Sequence, residues 1–300
     1  MAVEMRIPII ATPRSDGQGK TKNSTPEQVH RTDVINYEDA FFYIYIAMTA
    51  CIHGVWDEMN HDMTPTTFLL FDCEVQSLRK FRAKKIRLEI NFGNVDDLGG
   101  KRPRANPSIV SRGPEVIRRF HQVPVLRKRE VGLQGSIEAG HLIKPGIAIH
   151  RISTQEYEKQ YFAEARSGIR HASPTDHRYV KVWWIYTENK KGAEGVAPGF
   201  RIAVLLKREN DSPFQGQVAI TQFDAGWSFA GARALHNFWS ERGSSDVEED
   251  KIIDPINFDP TVQDQVRPAW MVGVDEKNLG ALQTSAGIDK EYARIWGVDL

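Results

Sequence analysis

Cysteine is scarce in this chain. Cys51 and Cys73 are the only two among 300 residues, which excludes a disulfide-built framework. An excess of charge of either sign is missing as well. Basic and acidic residues number 39 each, for a formal net charge of zero, so nothing global draws the protein to nucleic acid or to an anionic membrane. The longest apolar run, AFFYIYIAMTACI (40–52), stops short of the roughly 20 residues a membrane-crossing helix needs. The opening MAVEMRIPIIATPRSDGQGK has no basic leader ahead of a sustained apolar stretch and a small-residue cleavage site. The expectation is an intracellular protein, cytoplasmic or else nuclear, in which the sequon at Asn23 stays idle. No period of about 20–50 residues recurs, which sets solenoids aside. No GxSxG nucleophile motif is found.

What is present is core material in strand-length pieces. The apolar fraction is 41%, within the range that supports a packed interior. KKIRLEINF (84–92) alternates, with Ile86, Leu88, Ile90 and Phe92 on one face and Lys85, Arg87, Glu89 and Asn91 on the other. That is a half-buried strand. TTFLLFDCEV places Leu69, Phe71, Cys73 and Val75 on one side. VKVWWIY (180–186) and FRIAVLLK (200–207) are apolar on both faces and predict deeper strands. GIAIHRI (146–152) and GQVAITQF (216–223) add two more. The run over 40–53 has helical length, but its β-branched and aromatic content and the stop at Gly54 predict a strand. Helical spacing appears in WSFAGARALHNFWSERG (227–243). Many short strands joined by Pro- and Gly-rich connections indicate a mainly β protein, an antiparallel β-sandwich with irregular extensions and a few short helices. The expected organisation is a flexible arm over 1–35, a sandwich over 36–250, and an extended wrap with a short helical end over 251–300.

Several motifs tempt a chemical assignment. DGQGKT (16–21) imitates a phosphate-binding loop, but the first glycine of GxxxxGK[ST] is replaced by Arg14. Backbone amides then have no glycine to curl around a phosphate, and the polar, Pro26-interrupted continuation offers no helix to face it. A nucleotide is therefore not expected. HGVWDEMNHD (53–62) gathers imidazoles and carboxylates in an order that matches no established ligand spacing. It reads as a polar hairpin loop, and no cofactor or metal is expected. The alternative is a metal-assisted enzyme centred on His53, Asp57 and His61. The basic runs RKFRAKKIR (79–87), KRPR (101–104) and RKRE (127–130) suggest solvated faces. A second alternative has these loops touching nucleic acid. Cys51 and Cys73 lie inside strand-like runs, where a buried inert thiol is expected. Among the tryptophans, Trp184 shares a strand face with Val180, Val182 and Tyr186. Trp183 shares its face with Lys181 and Ile185, nearer solvent. Candidate ligand contacts are Trp183, Lys181, Glu188, Asn189 and Arg201. Glu188 and Asn189 also suit turn capping.

The order of these pieces resembles a known pattern. An Arg/Lys-led strand FRAKKIRLEINF is followed by PEVI (114–117), then by VWWIYTENKKGAEGVAPGFRIAVLLKRENDSPF, with a weaker echo in DPINFDP (254–260). Over residues 66–225 this is similar to a family of filamentous-ascomycete proteins that carries no established activity, cofactor or catalytic residue. The resemblance implies a filamentous fungal host and a β-rich intracellular domain, and no site. The leading expectation is a non-catalytic binding or interaction module for a protein or small molecule. Lys20→Ala is expected to leave ATP and GTP retention unchanged. Magnesium-dependent nucleotide binding that this substitution abolishes would restore the phosphate-loop reading.

Overall fold

In the computed structural model, the described residues are 23–38, 41–78, 82–95, 104–114, 118–131, 153–189, 195–225, 254–262, 266–267 and 274–283. Their strands are β1 (Asp33–Glu38), β2 (Phe42–Asp57), β3 (Asp62–Ser77), β4 (Ala83–Asn94), β5 (Ser108–Gly113), β6 (Arg118–Val131), β7 (Ser153–His171), β8 (Tyr179–Thr187), β9 (Gly199–Lys207), β10 (Phe214–Ala225) and β11 (Ile256–Phe258). One sheet has the order β1-β2-β3-β9-β5 and the other β11-β10-β4-β8-β7-β6. All of these pairings are antiparallel. The expected mainly β sandwich is what the chain forms, and residues 42–57 are strand. The sequence-predicted strand over 146–152 and helix over 227–243 lie outside the described residues.

The inner faces follow from period-two alternation. Leu88 pairs with Trp184 and Ile90 with Val182 across β4 and β8. Val218 and Ile220 of β10 pair with Ile90 and Leu88 on the other side. These side chains meet Leu69, Phe71, Ile202, Val204 and Leu206 of the facing sheet in one core. Two of the hydrogen bonds that cross between the sheets come from core aromatic side chains. Trp184 Nε1–H donates to the Gly113 carbonyl at 3.0 Å, and the Tyr186 hydroxyl donates to the Arg201 carbonyl at 3.2 Å. Both give a buried polar tip its partner, as a core Trp and Tyr require.

The two outer faces differ. Described residues on the outside of β4, β8 and β7 are mostly polar around Trp183 and Ile185, the pattern of an antiparallel sheet with one wet face. The five-stranded sheet instead carries Ile52, Phe68, Leu70, Ala203 and Leu205 on its outside. Val274, Leu279 and Leu282 cover them, the last two in a 3-10 turn, Leu279–Leu282. The covering segment bonds to the sheet through Val55 N–H to the Glu276 carbonyl and Glu58 N–H to the Lys277 carbonyl, both 2.9 Å. Gly54 permits this approach, because a Cβ there would stand 2.0 Å from the Glu276 oxygen.

A bulge in β2 sets the inside of the sandwich at one end. Before it, Ile44, Ile46 and Met48 face the core. The register shifts between Met48 and Ala50, and one extra residue reverses which parity points inward. After it, Ala50 and Ile52 join the outer cluster while Cys51 turns inward. Of the expected arm over 1–35, the described part, 23–35, is docked. Val29 bridges Asn257, His30 and Arg31 are buried, and β1 begins at Asp33.

Trp184 has no solvent exposure and a cross-sheet hydrogen bond, whereas Trp183 is only half-buried. Trp184→Ala is expected to cost about 3–5 kcal/mol of stability and Trp183→Ala less. Urea unfolding of the two variants checks this. A larger loss for Trp183→Ala would contradict the register of β8.

Candidate metal centre

The bulge that turns Cys51 inward does the same for His53, two residues on. At its pairing position across β3 stands Thr67. Thr67 Oγ1 lies 2.9 Å from His53 Nδ1. The third member, His30, precedes β1 and is held in place by a strand from the other end of the chain. His30 N–H donates to the Asn257 carbonyl at 2.8 Å, next to the Val29–Asn257 bridge. His30 adopts φ 51°, in the left-handed region where a histidine is uncommon. This conformation aims its ring into the gap between the sheets. His30 Nε2 and His53 Nε2 are 3.1 Å apart, and Cys51 Sγ is 3.4 Å from His53 Nε2. One ligand atom from each of the three residues lies within 4.8 Å of the others. His30, Cys51 and His53 are 6%, 0% and 5% exposed. Among the described residues, this is the group of three or more His, Cys, Asp or Glu side chains arranged to hold a metal.

Aromatic rings wall the cluster. His53 meets Phe214 edge-on with centroids 6.3 Å apart, His30 is 6.4 Å from Phe258, and Phe214 and Phe258 stack at 4.8 Å. Arg208 lies beside Phe214, its guanidinium carbon 5.9 Å from the ring centre. Burial, Arg208 and His30 together hold the His53 pKa down to about 3. The imidazole is therefore neutral, the form that binds metals. Burial pushes the Cys51 thiol well above its ordinary range, with Arg208 opposing. Without a metal, the thiol keeps its proton.

The hydrogen-bond partners assign the protons. His30 Nε2 accepts from Asp259 N–H at 3.3 Å, so His53 Nε2–H points toward it and Thr67 donates to His53 Nδ1. A hydroxyl both donates and accepts. Thr67 can therefore reverse its bond and support the opposite tautomer, with Nε2 free to bind a metal. Copper or zinc bonds of about 2.0–2.3 Å to nitrogen and sulfur place neighbouring donors roughly 3.3–3.7 Å apart. The two separations from His53, 3.1 and 3.4 Å, need only a few tenths of an ångström of expansion, and the third pair lies within 4.8 Å.

The sequence-predicted site residues are dispersed. Asp57 ends β2 and accepts from Asn60 N–H at 3.1 Å and from the Asn60 amide at 2.6 Å. His61 is exposed in the same hairpin turn at φ 59°. Neither joins His53, because the second register shift of β2, between Val55 and Asp57, and the turn carry them out of the core. Trp183 and Lys181 share the outer face of the six-stranded sheet. Arg87 lies 5.0 Å from the Trp183 ring centre, and Lys181 is 3.6 Å from Glu89. A Cβ on Gly168 would stand 2.4 Å from the Trp183 ring, so the indole lies over a glycine. Glu188 is buried against Arg82 at 2.8 Å. Poor alignment makes this a charge contact without a hydrogen bond. Asn189 is buried beside it in sequence. Arg201 is on the other sheet, bidentate to Asp72. These five do not form one site. Sequence reasoning missed His30 and gave Cys51 a purely structural role. The one local signal was Cys51-x-His53, a spacing that puts both on one strand face.

Compared with known proteins, the chain matches no family model and no curated relative. Site geometry therefore carries the functional argument by itself. Thr67→Val is expected to cost about 1–3 kcal/mol, the penalty for stranding the buried His53 nitrogen. Thermal and urea unfolding measure it. A neutral result would show that His53 is held by its other contacts.

Proposed function

We propose that this protein is a non-catalytic metal-binding protein, a β-sandwich that carries one thiophilic metal ion at His30, Cys51 and His53. The observation that supports the reading is the convergence of three buried donors, from β2 and from the segment before β1, around a single point. Two imidazoles and a thiolate suit copper and zinc. A hard oxygen-seeking ion such as magnesium or calcium would find no carboxylate in this group. Catalytic metal sites keep a position open to substrate, whereas these donors lie under Phe214, Phe258 and the sheets. Holding the ion, for stability or storage, is the role that fits such burial. Thr67 orients His53 from behind, as the outer partner of a ligating histidine does. An intracellular setting belongs to the same proposal, since it keeps Cys51 reduced.

Reconstituted protein should retain about one metal ion per chain through dialysis and melt higher than metal-free protein, because a ligand bound only to the folded state stabilises it. Cys51→Ser and His30→Asn should each lose retention and the thermal shift. Asparagine tolerates the left-handed backbone of position 30, so the second variant separates ligand loss from backbone strain. Wild-type protein with neither retained metal nor a thermal shift would defeat the proposal and leave the cluster as a hydrogen-bonded polar knot.

A further inference from the structure

Arg208 shares the Phe214 ring with His53, and it is unusually enclosed. Its side chain is 1% exposed. It follows β9, its backbone N–H donating to the Pro65 carbonyl at 2.8 Å. Its guanidinium donates to the Thr66 carbonyl at 3.4 Å, the Asn210 carbonyl at 3.1 Å and the Asp211 carboxylate at 2.9 Å. Its Nε has no hydrogen-bond partner. Thr66 precedes Thr67, the residue that holds His53, and the Phe214 ring beside Arg208 also flanks His53. Asp211 is 64% exposed, so water screens its negative charge while the positive charge stays inside. The field of Arg208 reaches both Cys51 and His53.

Resting on the metal-binding reading, we infer that Arg208 makes the His30–Cys51–His53 centre selective for a monovalent soft ion, Cu(I), over the divalent Zn(II). The charge balance gives the reason. Cu(I) binding breaks the Cys51 S–H bond, forms a Cu–S bond and releases one proton to solvent. The site begins neutral and ends neutral. Zn(II) binding breaks the same bond and releases the same proton, yet leaves the site with one net positive charge. A buried guanidinium is indifferent to the first change and opposes the second. Two imidazoles and one thiolate also complete a three-coordinate set, which satisfies Cu(I), whereas zinc seeks four donors.

Softness alone would favour Cu(I) at any thiolate, so the discriminating readout is the change in each affinity when the Arg208 charge is altered. Cu(I) affinity is measured anaerobically against a colorimetric Cu(I) chelator, and Zn(II) affinity against a zinc-binding chromophore, on the full chain. Arg208→Met should raise Zn(II) affinity on the order of tenfold, the effect of a unit charge at short range in a partly screened interior, with Cu(I) affinity unchanged. Arg208→Lys should keep the wild-type ratio. Asp211→Asn removes the partly screened negative charge beside Arg208, so it should act in the opposite sense and lower Zn(II) affinity alone, by less than Arg208→Met raises it. This arm decides the matter if Arg208→Met does not fold. Equal changes for both ions, or none, would overturn the selectivity role while leaving a metal-binding protein. Failure of wild type to bind either ion would overturn the metal-binding reading as well.

Discussion

Among the described strands, β3 and β9 are apolar on both sides along their paired length, and the architecture answers to that constraint. β3 and β9 present Leu69, Phe71, Ile202, Val204 and Leu206 to the facing sheet, and Phe68, Leu70, Ala203 and Leu205 to the opposite side. An antiparallel sheet can leave one face in water only if that face is polar. The six-stranded sheet meets this condition at most of its described outer positions, with Trp183 and Ile185 set among charged neighbours, and the five-stranded sheet does not. The C-terminal segment must therefore return across it, and Gly54 clears the path where Glu276 passes. The same return carries Ile256–Phe258 to the edge of β10. Residues 29 and 30 dock there, which brings His30 within reach of β2.

The centre is consequently a product of closure. Cys51 and His53 come from one bulged strand, Thr67 from its neighbour, and His30 from a segment held by Asn257 and Asp259. With protons in place, the three donors form a neutral hydrogen-bonded group, and burial of neutral polar groups is tolerable when each finds a partner. In the proposed metal-bound state, the same atoms would exchange shared protons for coordinate bonds. Arg208 introduces an asymmetry, a buried positive charge whose carboxylate partner stands in solvent.

Alternation made much of the fold legible. Ile86, Leu88, Ile90 and Phe92 announced the inner face of β4. The unequal neighbours of Trp183 and Trp184 announced the register of β8. Apolar residues on both faces of FRIAVLLK announced a central strand. The site was not legible for two physical reasons. The first is the bulge near residue 49. Alternation counted from Ile44 through Met48 points Cys51 and His53 outward, and only an inserted residue, unmarked by any Gly or Pro, reverses them. The second is distance along the chain. His30 sits in a polar stretch whose composition resembles a loose arm, and its docking depends on a partner beyond residue 250. Asp57 and His61 attracted notice through proximity in sequence, but a hairpin turn separates neighbours as readily as it joins strangers. Glu188, Asn189 and Arg201 are buried in ion-pair or turn surroundings, which a sequence cannot distinguish from an open polar pocket.

The covering of the five-stranded sheet by Val274, Leu279 and Leu282 also orders events in time. The ribosome delivers β2 and β3 early, and they pair with each other through a short turn. Ile52, Phe68 and Leu70 then form an apolar patch whose lid has not been synthesised. At elongation rates of about 5–20 residues per second, that patch waits on the order of ten seconds or more. A nascent chain in this condition is a natural client for chaperones that recognise exposed apolar strands. The segment that completes the fold thereby also closes that patch.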